Sequence, residues 1–129
     1  MLKKTINYTD YDGNKKTTEQ YFNLNKAELL KLEMSVKGGY TAYVKRIIEA
    51  EDQPTIVEIF EDLIRRSYGV KTLDGGFTKR KEDYDAFVST EAYSELFMEL
   101  ASNSEAAAEF INGIIPADLA AQLHESDKN

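Results

Sequence analysis

The chain has 129 residues, and its 23 acids against 16 bases give a formal charge of −7. Residues 1–90 hold 15 acids and 15 bases, whereas residues 91–129 hold Glu91, Glu95, Glu99, Glu105, Glu109, Asp118, Glu125 and Asp127 against Lys128 alone. Without a basic cluster the chain is a poor partner for nucleic acid, zero cysteines exclude disulfides, Cys-ligated zinc and thiol catalysis, and a single histidine, His124, argues against a histidine metal cage or a catalytic triad.

Residues 1–24 read as a β-hairpin. Leu2, Ile6 and Tyr8 alternate with Lys3, Thr5, Asn7 and Thr9, the period of two that marks a half-buried strand. A return run from Lys15 to Leu24 is rich in threonine and aromatics, and Asp12-Gly13-Asn14 supplies the turn. A two-residue Asp12-Gly13 loop pairs Ile6 with Glu19 and sends Phe22 and Leu24 to the opposite face. A three-residue loop pairs Ile6 with Gln20 and gathers Leu2, Ile6, Tyr8, Phe22 and Leu24 on one face. A one-residue slip inverts a whole strand, so burial selects the odd loop, with Gly13 or Asn14 left-handed.

Three helices are expected over residues 25–69. Asn25 and Glu28 have capping-box spacing, and Leu29, Leu30, Leu32 and Val36 supply an apolar face that stops at Gly38-Gly39. Tyr40, Tyr43, Val44, Ile47 and Ile48 form a second stripe. Asp52 and Pro54 suit the first turn of a third helix, in which Ile56, Ile59, Phe60, Leu63 and Ile64 keep the helical period and Gly69 is the C-terminal stop. Asp74-Gly75-Gly76 then leaves a short hairpin or an open loop over 70–81.

A short helix over Glu82–Val88 follows, and Ser89 or Thr90 caps a longer one with Glu91 in its first turn. Its core face is Tyr93, Leu96, Phe97 and Leu100. Ser102 and Glu105 have capping-box spacing for a last major helix with Ala107, Phe110, Ile111 and Ile114 on one side, ended by Asn112-Gly113 and Pro116. Residues 117–124 allow a further helical turn or two, and 125–129 read as a disordered tail. The expected architecture is α+β and mostly helical: an N-terminal β-hairpin and about five to seven short helices packed as one domain over 1–124. No apolar run approaches the roughly 20 residues of a membrane span, and no signal-peptide core opens the chain. A cytosolic or virion-associated protein is expected.

Clusters of a kind that carries chemistry elsewhere have simpler readings here. Glu58, Glu61 and Asp62 suit a solvated helix face, with Glu61 and Arg65 at ion-pair spacing. Glu91, Glu95 and Glu99 form an i, i+4, i+8 ladder, but no glutamate has a histidine three residues on, as helical carboxylate metal sites typically do. The glycine pairs 38–39 and 75–76 lack phosphate-loop context. No catalytic, cofactor or metal residue is assigned. Eight tyrosines suit core edges and interfaces alike. Met98 and Ile115 lie off their helices' apolar stripes, which fits either an adaptable contact surface or helices buried on two sides.

Several long stretches have a familiar character: Ala92-Tyr93-Ser94-Glu95-Leu96-Phe97-Met98-Glu99-Leu100-Ala101, Ala106–Pro116, the opening Ile6–Asn14, and Tyr21-Phe22-Asn23-Leu24 running into Lys26-Ala27-Glu28-Leu29. Together they resemble the tail assembly chaperones of long, non-contractile-tailed phages and prophages of Gram-positive bacteria. The likeness runs from the hairpin to Pro116 and is weakest over 70–85 and beyond Pro116. The resemblance implies a non-enzymatic protein without cofactors, working in the host cytoplasm and absent from the mature virion. Implied partners are the tape measure protein, which it binds and solubilises, and the tail tube protein, which it helps recruit. Self-association and a longer frameshifted form with an added C-terminal domain are open.

For the contact itself a helix-in-groove mode is expected on the last two major helices. Tyr93, Phe97, Met98, Phe110, Ile114 and Ile115 are the candidate apolar positions, and Glu91, Glu95 and Glu99 the solubilising edge. Two other classes remain: a small structural subunit such as a tail-completion or connector protein, and an acidic inhibitor of a host protein. A neutral first 90 residues argue against the inhibitor, because nucleic-acid mimics spread charge broadly.

Overall fold

Alternation from Leu2 onward produces β1 (Leu2–Thr9), and the threonine-rich return run pairs antiparallel with it as β2 (Lys15–Phe22). A computed structural model of the chain describes residues 1–116. Asp10 starts the turn between the strands. Its carboxylate accepts the N–H groups of Asp12 (3.0 Å) and Asn14 (2.8 Å), and its carbonyl accepts the N–H of Gly13 (3.0 Å). A final rung from Asp10 N–H to Asn14 O (2.9 Å) leaves Tyr11-Asp12-Gly13 as a three-residue loop, with Gly13 at φ +84°, a type I turn closed by a left-handed glycine. The loop is odd, as burial requires, but it begins one residue earlier than Asp12. Ile6 therefore lies opposite Thr18 rather than Gln20, and Leu2 opposite Phe22, with the faces unchanged.

Beyond the hairpin the chain turns helical. The capping box opens α1 (Lys26–Met34): Glu28 N–H donates to Asn25 (2.8 Å) and Asn25 N–H to the Glu28 carboxylate (3.0 Å). Leu29 and Leu32 face the core, but Leu30, expected beside them, points to solvent. α2 (Tyr40–Glu49) starts after Gly38 and Gly39, both at positive φ. It has no cap of its own; the Glu33 carboxylate of α1 accepts the Thr41 N–H (2.7 Å) and its hydroxyl instead. α3 (Gln53–Ser67) is capped by Asp52, which accepts from the Thr55 hydroxyl at 2.7 Å. It buries Ile56, Ile59, Phe60, Leu63 and Ile64 as the period demands. Asp62 holds both Arg65 and Arg66, taking the place expected for Glu61.

Gly69 does not end this helix in a left-handed turn. α3 runs directly into β3 (Tyr68–Lys71), which turns back as β4 (Phe77–Thr78). The short hairpin is thus the alternative that forms over 70–81. β3 also pairs with β2, setting Gly69 opposite Tyr21 and Tyr68 opposite Phe22, so one sheet has the order β1-β2-β3-β4. A glycine is needed at 69 for space: a Cβ there would lie 2.6 Å from the Phe77 ring and 2.8 Å from the Thr78 carbonyl.

Three helices close the described chain: α4 (Lys81–Val88), α5 (Glu91–Ser102) and α6 (Ser104–Ile114). Asn103, not Ser102, caps α6, accepting from the N–H groups of Glu105 (3.0 Å) and Ala106 (3.1 Å), while the Ser102 hydroxyl bonds back to Met98 O. Gly113 lies within α6 and gives close approach to Leu2 rather than a stop. The helical turn expected over 117–124, the tail 125–129 and His124 lie outside the described residues.

Pleat parity assigns the two faces of the sheet. Ile6, Phe22 and Tyr68 share the inner face with Leu2 and Tyr8, and α5 and α6 cover it. Phe22 is completely buried between the rings of Phe110 (5.4 Å), Tyr68 (5.8 Å) and Phe87 (6.0 Å). Thr5, Asn7, Thr17, Glu19 and Tyr21 are on the other face, where Thr17 donates to Asn7 (2.7 Å) and Lys71 sits over the Tyr21 ring.

Candidate docking surface

α5 is the central helix of the described fold, touching β1, α3, α4 and α6. Ala92, Leu96 and Leu100 form its buried side. The carboxylate ladder runs along the flank next to the hairpin. Glu99 meets Lys4 of β1 at 3.1 Å, Glu91 accepts the phenol of Tyr11 from the hairpin turn, and Glu95 lines a cleft with Tyr8, Lys15 and Lys16. Two of these acids are therefore engaged by the chain's own hairpin, and the third lies beside its lysines. The ladder of Glu91, Glu95 and Glu99 is thus laid against the strand pair that carries Lys4, Lys15 and Lys16.

The six apolar candidates separate into three groups. Phe110, Ile114 and Ile115 are core residues, 2%, 1% and 4% exposed. In the folded chain they face inward, because α6 packs against α2, α5 and β1 together. Tyr93 and Phe97 are half-buried and pack on one another (5.8 Å), with Tyr93 edge-on to Phe87 at 5.7 Å. Met98 stands 64% exposed among Ser94, Glu95 and Ser102 on the outer side of α5. Successive helical residues are about 100° apart, so Met98 and Phe97 address different directions.

Phenol chemistry on the inner flank follows from burial. Tyr93 and Tyr84 share a hydrogen bond, and burial pushes Tyr93 up to about 12. Burial beside Asp62 does the same for Tyr40, also to about 12. A raised phenol favours the neutral form in the folded state, so its stabilisation is complete below the ordinary value near 10 and is lost as pH rises from about 10 towards 12. Alkaline titration of the native protein should show tyrosinate absorbance developing late, and Tyr93→Phe should remove part of that late component. Denaturation midpoints should fall over the same window. Ionisation of every tyrosine near pH 10 in the folded chain would contradict this packing.

Among the described residues no cluster of carboxylates and histidines is arranged to hold a metal ion, and no helix is long and apolar enough to cross a membrane. The chain matches the family model for phage tail assembly chaperones over residues 1–129. It belongs to that family. No curated protein and no solved structure matches it. In the chaperone, Met98 is the most exposed of the six apolar candidates, with Glu95 and Ser102 beside it.

A further exposed apolar feature was hidden in the sequence by its neighbours. Leu30 and Met34 of α1 are 60% and 78% exposed, on the side of the chaperone's helix opposite Leu29 and Leu32. The signal for them is a second stripe, Ala27, Leu30 and Met34, at spacings of three and four beside the core stripe.

Proposed function

We propose that this chain holds the tape measure protein of its phage in soluble form and helps recruit tail tube subunits to it during tail assembly. The family match across the whole chain carries this reading. Its role is binding rather than catalysis. It acts in the cytoplasm of the infected or lysogenic host and is absent from the finished particle. The contact proposed is between the outer side of α5 and an amphipathic tape-measure helix, with Met98 as a flexible apolar anchor, Tyr93 and Phe97 at its margin, and Glu95, the ladder acid that the hairpin does not bind, beside it. The inhibitor alternative is weakened by the hairpin, whose Lys4 and Tyr11 engage two of the ladder's carboxylates.

Reversing all three glutamates is a poor test, because it also breaks the Lys4–Glu99 bridge. Met98→Asp leaves that bridge and the core intact. Co-expressed with the tape measure protein of the same genome, the native chain is expected to raise the soluble fraction of this client, and Met98→Asp to lower it at unchanged chaperone yield. A Met98→Asp chain as effective as the native one removes α5 from the contact. A native chain that leaves the client insoluble removes the function itself.

A further inference from the structure

We infer that the outer face of α1 is a second docking surface, and that its occupant is an amphipathic helix of another protein carrying acidic residues along both edges of its apolar seam. α1 is apolar on two sides. Leu29 and Leu32 are in the core, while Ala27, Leu30 and Met34 make an outward stripe at the 3–4 spacing of a helix-packing seam. An exposed apolar stripe of this kind, on a helix whose other side is already in the core, is suited to the seam of a partner helix.

Charge identifies the partner. The two acids of α1 are both turned to the chain's own use: Glu28 completes the capping box and binds Lys79 at 2.8 Å, and Glu33 caps α2 through Thr41. On the exposed side the charged residue within the stripe is Lys31, with Lys37 just beyond the helix end. A second copy meeting this face with its own α1 would bring these lysines against their counterparts, which is unfavourable at short range. The chain's own ladder on α5 cannot serve another copy well, because two of its three acids are engaged by the hairpin. An external helix with glutamate or aspartate flanks meets the stripe and satisfies the lysines together.

The test uses the full chain and two synthetic amphipathic peptide helices with the same leucine seam, one flanked by glutamates and one by lysines. Titrations followed by backbone amide NMR are expected to show the glutamate-flanked peptide binding with shifts centred on α1. Leu30→Asp and Met34→Asp, both at exposed positions, should weaken that binding by about tenfold or more while leaving the amide spectrum of the core unchanged. A Lys31→Glu/Lys37→Glu chain should change its preference to the lysine-flanked peptide. The inference is overturned if the native chain binds neither peptide, if it binds both equally, if the shifts centre on α5, or if Leu30→Asp instead abolishes self-association. A chain that solubilises the tape measure protein yet binds neither peptide loses this inference and keeps its proposed function; the reverse pattern does the opposite.

Discussion

Replacing Phe22 with alanine is expected to destabilise the fold by about 3–5 kcal/mol, the largest effect of any single truncation considered. Phe22 is on the inner face of β2, completely buried, and its ring touches residues from three other elements: Tyr68 of β3, Phe87 of α4 and Phe110 of α6. Those partners pack further, with Tyr68 stacked on Phe87 at 4.7 Å and Phe110 edge-on to Phe60 at 6.2 Å. A cavity at this junction cannot be filled by one side chain swinging in, because each neighbour is held by another ring. With domains of this size stable by about 5–15 kcal/mol, the loss lowers the melting temperature by roughly 10–20 °C. Phe97→Ala, at a half-buried position on the margin of α5, should cost clearly less. Equal shifts for the two variants, measured by calorimetry or denaturant titration, would remove Phe22 from the centre of the core.

Phe22 also shows what local sequence signals convey. Its face follows from the hairpin alone, since the period of two and the parity of the loop place it with Leu2 and Ile6. The register does not follow, because a three-residue loop begun at Tyr11 and one begun at Asp12 change the pairing by two residues and preserve the same faces. The helix starts at Asn25 and Asp52 were legible for a similar reason, being short-range capping chemistry. The pairing of β2 with β3 was not legible. It joins Phe22 to Tyr68 across three helices, and no local pattern in the Tyr68–Lys71 run announces its neighbour. At 102–103 two adjacent residues both suit a cap, and helix geometry selects Asn103.

The candidate surface was less legible than the fold. Sequence identifies the α5 carboxylates as a ladder but cannot show what faces them, and the lysine that binds Glu99 is Lys4, 95 residues earlier. Phe110, Ile114 and Ile115 have the same hydrophobicity whether a helix is covered on one side or on several. Leu30 suffers the converse ambiguity: within Leu29-Leu30-Lys31-Leu32, adjacent leucines belong to opposite faces of one helix, and only the position of the core separates them. Distant contacts decide exposure, and exposure decides which residues a partner can reach.

Gly69→Ala is the second large effect expected, about 1–3 kcal/mol of destabilisation. The glycine backbone is not in the left-handed region, so the cost is one of space. The added methyl would press on the Phe77 ring and on the Thr78 carbonyl, both on β4. A ring can tilt, but the carbonyl belongs to the strand that pairs with Val70 and Lys71, so β4 must move or the ladder must open. Phe77→Ala should separate these contributions. In the native chain it removes packing and destabilises; in the Gly69→Ala chain it also relieves the ring clash, so its own cost should fall, giving a coupling of about 0.5–3 kcal/mol in a double-mutant cycle. The carbonyl contribution should persist in the double variant. If Gly69 were only a helix stop or an unconstrained strand position, alanine would be neutral or slightly stabilising through the unfolded chain, and that result in a denaturant titration would deny the close approach of β3 and β4. Because Tyr68 precedes this glycine and stacks on Phe87, strain at 69 should also reach α4, the helix joined to α5 through Phe87 and Tyr93.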